Sequence, residues 1–203
     1  MTSSYVHAVL TLAVVVFVCP GLQAQQSAPS ITVETSPMIG KAVPVSFPTE
    51  SQAVSPDGRY AIVGVDGDSE PYHSVWMDDR VLKTRQKLFD YDRHIVLLWD
   101  NESKSFAVTD YVGSNTSRCK VFSVNRKAPT IQVLDVLLPA LFVDARERLK
   151  KQLSNHHVYV EAFVWSGSNV LTVKVSGYGD ADPTGFEQFY NVNLHPARPV
   201  TPD

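Results

Sequence analysis

Apolar and polar positions alternate most cleanly over residues 95–111. Ile95, Leu97 and Trp99 fall on one side of an extended chain and Val96 and Leu98 on the other. A polar break, Asp100-Asn101-Glu102-Ser103, separates this run from a second one at 106–111, so the stretch predicts a β-hairpin. Both faces of its first strand are apolar, which predicts that other sheets cover it on both sides.

The same pattern recurs. Val54-Ser55-Pro56-Asp57-Gly58-Arg59-Tyr60-Ala61-Ile62-Val63 aligns without gaps on the segment from Trp99 to Val108, 45 residues later. Residues 163–173, Phe-Val-Trp-Ser-Gly-Ser-Asn-Val-Leu-Thr-Val, repeat the strand–turn–strand sense 66 residues further on, with a turn one residue shorter. In the first copy proline pre-sets φ for a turn, aspartate bonds back to its own backbone and glycine accepts positive φ. Ser55-Pro56-Asp57-Gly58-Arg59 followed by an apolar strand resembles the WD40-like repeat of periplasmic β-propellers, in which such a turn joins two inner strands of a blade. The resemblance implies a mainly β fold of antiparallel sheets in three propeller-blade-like repeats. Propellers use about four to eight blades, so three imply an open stack, a β-sandwich, or a ring completed by a second chain.

The first unit predicts strands at 59–66, 73–77 and 81–88; the second adds strands at 118–124 and 130–136. The third predicts strands at 158–165, 170–177 and 186–194. There Leu171, Val173 and Val175 share one face and Thr172, Lys174 and Ser176 the other, so a terminal unit with one exposed side is expected. Before it the period changes. Leu137, Leu138, Leu141, Phe142, Ala145, Leu149 and Leu153 recur at three and four with basic residues between, which predicts one amphipathic helix over 136–154, with Pro139 in its first turn. Its leucine stripe is expected to pack on a sheet; its basic side also fits a membrane surface.

At the N-terminus an apolar run at 9–18, followed by Leu22-Gln23-Ala24, reads as a secretory signal over 1–24. The run is shorter than the roughly 20 residues of a membrane span, and Val18 disfavours a lipoprotein site at Cys19. Residues 25–49 read as an extended leader offering an edge strand at 31–34 or 42–47, residues 50–194 as a single β domain, and 195–203 as a proline-rich loose tail. Export to the periplasm or the extracellular space follows. With the signal removed Cys119 stands alone, so no intramolecular disulfide forms, and its alternation with Val121 reads as a small buried hydrophobe.

Net charge of −3 with no basic stripe gives nucleic-acid binding little support. His73, His94, His156, His157 and His195 fall in no metal-ligand spacing, and neither a Gly-x-Ser-x-Gly elbow nor a phosphate loop is present, so no catalytic residue, metal or cofactor is assigned. Asp66-Gly67-Asp68-Ser69-Glu70 has carboxylates for a cation but lacks the spacing of a calcium loop. Asn101-Glu102-Ser103 and Asn115-Thr116-Ser117 match the glycosylation acceptor pattern. The polar cluster at the end of the central hairpin, Asp110, Tyr111, Ser114, Asn115 and Arg118, is the candidate binding site, because loops at strand ends carry function. The chain is therefore expected to be an exported non-enzymatic binding or scaffold module that contacts an envelope protein, or a second copy of itself, through loops or an open sheet edge. The alternative is a small secreted hydrolase built around Asp110 and Ser114 with a histidine brought near by folding.

Overall fold

A computed structural model describes residues 31–34, 43–70, 72–124, 131–167, 169–180 and 182–194; the signal segment, the tail and His195 lie outside the described residues. Two short strands come first, β1 (Ile31–Glu34) and β2 (Val45–Phe47), so the leader supplies both of its candidate strands. The first sheet is the meander β3 (Gln52–Val54), β4 (Tyr60–Asp66), β5 (His73–Asp79) and β6 (Thr84–Tyr91). The middle sheet runs β7 (His94–Trp99), β8 (Ser105–Tyr111), β9 (Arg118–Ser123) and β10 (Ile131–Gln132), with β2 added beside β7. Helices α1 (Val133–Ala140) and α2 (Val143–Gln152) lead into the third sheet, β11 (His157–Ser166), β12 (Val170–Gly179) and β13 (Asp182–Asn193), which β1 completes beside β13. Every ladder is antiparallel.

The 45-residue alignment holds at the level of register. Gln52, Ala53 and Val54 pair with Val63, Ile62 and Ala61; Leu97, Leu98 and Trp99 pair with Val108, Ala107 and Phe106. The turns match bond for bond. Ser55 N–H donates to Tyr60 O and Gly58 N–H to Ser55 O, as Asp100 N–H does to Ser105 O and Ser103 N–H to Asp100 O. Gly58 (φ 74°) and Ser103 (φ 59°) occupy the same left-handed position, and the shorter third turn places Gly167 at 76°.

The sheets stack with the middle one covered on both sides. Ile95, Leu97, Trp99, Phe106 and Val108 pack on Ala53, Tyr60, Ile62 and Val75 of the first sheet. Leu98, Ala107, Cys119 and Val121 pack instead with Trp165, Leu171, Val173 and Val175 of the third sheet and with Val133, Leu137 and Leu149 of the helices. Cys119 is buried, and burial pushes its thiol far above the ordinary range, as a packing residue requires. Gly64 lets the ring of Phe47 sit against the first sheet: a Cβ there would lie 2.8 Å from that ring.

The helical segment differs from the expectation in two ways. It begins at Val133, so β10 is only two residues long and Pro139 lies near the end of α1 rather than in a first turn. It is also broken at Leu141 and Phe142, both extended. The stripe explains the break. Val133, Leu137, Leu141, Ala145, Leu149 and Leu153 are spaced by four, and such a row drifts about 40° per step around a straight helix. A break resets the rotation, so that Leu137 and Leu149, both fully buried, meet the same core. Among the described residues no helix is long and apolar enough to cross a membrane.

Candidate functional site

Strand alternation divides the predicted polar cluster between two faces. Asp110 points toward the first sheet with Val108, while Tyr111 points toward the third with Thr109. Asp110 is buried, and Arg118 is its cross-strand neighbour, but its ion pair is with Lys120 at 2.8 Å. The Lys120 ammonium also lies 5.3 Å from the centre of the Phe89 ring, within cation–π range.

Tyr111, Ser114 and Asn115 bond to β11 or to the residue before it, as do Thr109 and Ser117 beside them. Tyr111 Oη donates to Glu161 Oε1 at 2.5 Å, and burial pushes the Tyr111 hydroxyl well above its usual range. Ser114 contributes its carbonyl, which accepts from Tyr159 Oη at 3.0 Å. Asn115 Nδ2 donates to His156 O at 3.1 Å, and Asn115 O accepts Val158 N–H at 2.9 Å. Ser117 Oγ accepts Val160 N–H at 3.0 Å and donates to Val160 O at 3.2 Å, and Thr109 Oγ1 accepts Ala162 N–H at 2.9 Å. β11 is an edge strand of its sheet. These groups satisfy the backbone of its outer edge, which would otherwise be left open. The Asn115 amide is engaged in the same seam, whereas Asn101 stands exposed in its turn.

No histidine among the described residues bonds to a serine. His94 stacks on Tyr111 at 4.1 Å, His73 Nδ1 lies 2.8 Å from Asp66 Oδ1, and His156 meets His157 edge to face at 4.7 Å, the first lying in the bend that precedes β11. The Asp66–His73 pair employs one of the carboxylates of the acidic loop. Among the described residues no three His, Cys, Asp or Glu side chains converge on a metal position.

Sequence reasoning missed a second polar site, at the turn between β5 and β6. The last strand of the first sheet, expected over 81–88, starts at Thr84 because Asp79 captures the two apolar residues for a turn. Asp79 Oδ1 accepts the N–H groups of both Val81 and Leu82 at 2.9 Å. Its other oxygen takes Arg59 Nη2 at 2.9 Å, and the Arg59 guanidinium, with those N–H groups, holds the carboxyl below the ordinary range. Arg80 N–H donates to Arg59 O at 2.8 Å and Arg80 Nη1 to Gly58 O at 3.2 Å, which ties this turn to the Pro-Asp-Gly turn beside it. Arg85 holds Asp78 through two bonds of 2.6 and 2.7 Å. The result is a rigid tip from which Val81 (67% exposed) and Leu82 (64%) project. Beside them lies a shallow cavity of about 330 Å³ lined by Asp78, Asp79, Arg80, Lys83, Thr84 and Arg85. The signal in the sequence was Asp79 itself, an aspartate two residues before an N–H it can cap.

No family model matches the chain, and no curated protein sequence matches it.

Proposed function

We propose that the chain is a non-enzymatic exported binding or scaffold module that contacts an envelope protein partner through an open sheet edge. The observation that carries this reading is the outer edge of β6, an eight-residue strand with no neighbour on that side among the described residues. Unpaired backbone groups on such an edge recruit another strand. The repeated turns and the shared register support kinship with the WD40-like repeat of periplasmic propellers, and the signal-like residues 1–24 support delivery to the periplasm or the cell exterior.

A hydrolase centred on Asp110 and Ser114 has less support. Asp110 is engaged by Lys120, and Tyr159 Oη bonds Ser114 at its carbonyl, with no histidine among the described residues bonded to either side chain.

Site-specific photo-cross-linking in the exporting cell tests the binding reading. A cross-linking residue at Gln86 on β6 is expected to give a discrete covalent adduct with one protein. The absence of adducts at Gln86, at Ser114 and at Phe142 would overturn it.

A further inference from the structure

The edges of the three sheets are unequal. β3, β2 and β10 are two or three residues long, and β11 is bonded to the middle sheet by Thr109, Asn115 and Ser117. β1 covers β13 from Phe189 to Val192, and the part of β13 beyond it carries Pro183 and Gly185 at φ 69°, which interrupt a pairing edge. β6 has neither proline nor glycine; its register shifts at Leu88, but Thr84 to Lys87 pair with β5 without interruption, next to the rigid tip described above.

We propose that the tip and the β6 edge together form a docking site for an extended acidic segment of a partner protein, which adds to the first sheet as a further strand. This rests on the binding reading and names the partner's chemistry. Arg85 pairs with Asp78, Arg59 with Asp79 and Lys87 with Asp90 at 2.7 Å, so the carboxylates nearby are engaged and Arg80 and Lys83 are the two cations of the site, among the described residues, without a carboxylate partner. Among the described residues the Lys83 ammonium has no partner.

Lys83 sits at φ 57°, a left-handed position that glycine or asparagine adopts more cheaply. The site thus tolerates backbone strain and keeps a cation at the mouth of the cavity. β6 carries Arg85 and Lys87 against one carboxylate, Asp90, and Lys83 stands beside it, so two such edges brought together share an excess of positive charge that an acidic strand would instead offset. Val81 and Leu82, held out by Asp79, supply apolar contact without first having to be ordered.

The test uses the chain without residues 1–24 and a labelled decapeptide of alternating glutamate and valine, followed by fluorescence anisotropy. The peptide is expected to bind, a lysine–valine counterpart to fail, and backbone N–H groups of β6 to gain protection from hydrogen exchange at saturation. Lys83→Glu should weaken binding about fivefold, the scale of one exposed charge pair. Lys83→Asn should weaken binding while raising Tm, a split that a purely structural lysine would not give. The inference is overturned if the acidic peptide does not bind, if Lys83→Glu leaves its affinity unchanged, if β6 gains no protection, or if only anionic phosphatidylglycerol vesicles bind. An adduct at Gln86 in cells, with no peptide binding, would remove the acidic-strand inference and leave the binding reading standing.

Discussion

A tryptophan at the end of the first strand of a unit is useful only where another unit precedes it. Trp99 Nε1 donates to Ala53 O at 3.3 Å and Trp165 Nε1 to Leu98 O at 3.0 Å, each reaching the carbonyl one residue before the equivalent position of the preceding sheet. The first unit has no predecessor among the described residues and carries Val54 there, 41% exposed. Trp165→Phe keeps most of the ring and removes one of the donors to the Leu98 carbonyl, which the β7–β8 ladder also engages, and should cost about 1 kcal/mol in urea unfolding. The carboxylates of the first sheet set the acid limb of stability. Asp57, bonded by Ser55, Asp78, bonded by Arg85, and Asp79, bonded by Arg59, all have lowered folded-state values. A lowered carboxylate contributes stability that is fully present above the unfolded value near 4 and is lost as pH falls through the folded value. Tm should therefore fall progressively below about pH 4, and Asp79→Asn should flatten that limb while lowering Tm at pH 7. Asp100 runs the other way. Burial raises it, and its Oδ2 is buried without a partner. It penalises the fold as pH rises from the unfolded value through the raised one, so Asp100→Asn, which keeps an acceptor for Glu102 and Lys104 N–H, should reduce the loss over that window in a Tm-against-pH series.

Among the elements, those governed by local alternation were legible in the sequence and those governed by a distant partner were not. The hairpins, their shared register and the two-sided burial of β7 follow from residues close in sequence, such as Ile95 and Leu98. The beginning of β6 was misplaced because Val81 and Leu82 look like strand residues until Asp79 is seen to cap them. Recurrence at three and four predicts one continuous helix and does not show where the buried leucines must be brought back to one core; the break places Phe142 at the N-cap of α2 with no side-chain cap and 91% of the residue exposed. Folding favours Ser, Thr, Asp or Asn at that position. Phe142→Asp should stabilise the chain by about 1 kcal/mol, measured by chemical unfolding. The polar cluster at 110–118 was visible as a cluster, but its partners on β11 lie more than forty residues away along the chain, and no local pattern reveals them.

On the scale of the whole molecule, the two outward faces are built differently from the inner ones. Where the middle sheet presents Leu97, Trp99 and Phe106 to its neighbour, the aligned outward positions of the first sheet are Gln52, Val54 and Ala61, each smaller or more polar. The outward side of the third sheet carries the Glu161–Lys174 ion pair at 2.8 Å; Thr172 on the same side, expected to be exposed, is instead buried and bonds Asn191 at 2.6 Å. Terminal repeats of a stack are finished this way where no further repeat follows. Light scattering after size exclusion should therefore return the mass of one chain across a dilution series. A concentration-independent dimer would mean that a second copy completes the stack. The pairing of β1 with β13 has a separate consequence. The earliest described strand is laid down beside the latest, so this ladder carries a large loop-closure cost, which folding of the chain between them reduces. Of the described pairings it encloses the most chain, and it is the seam whose closing waits longest.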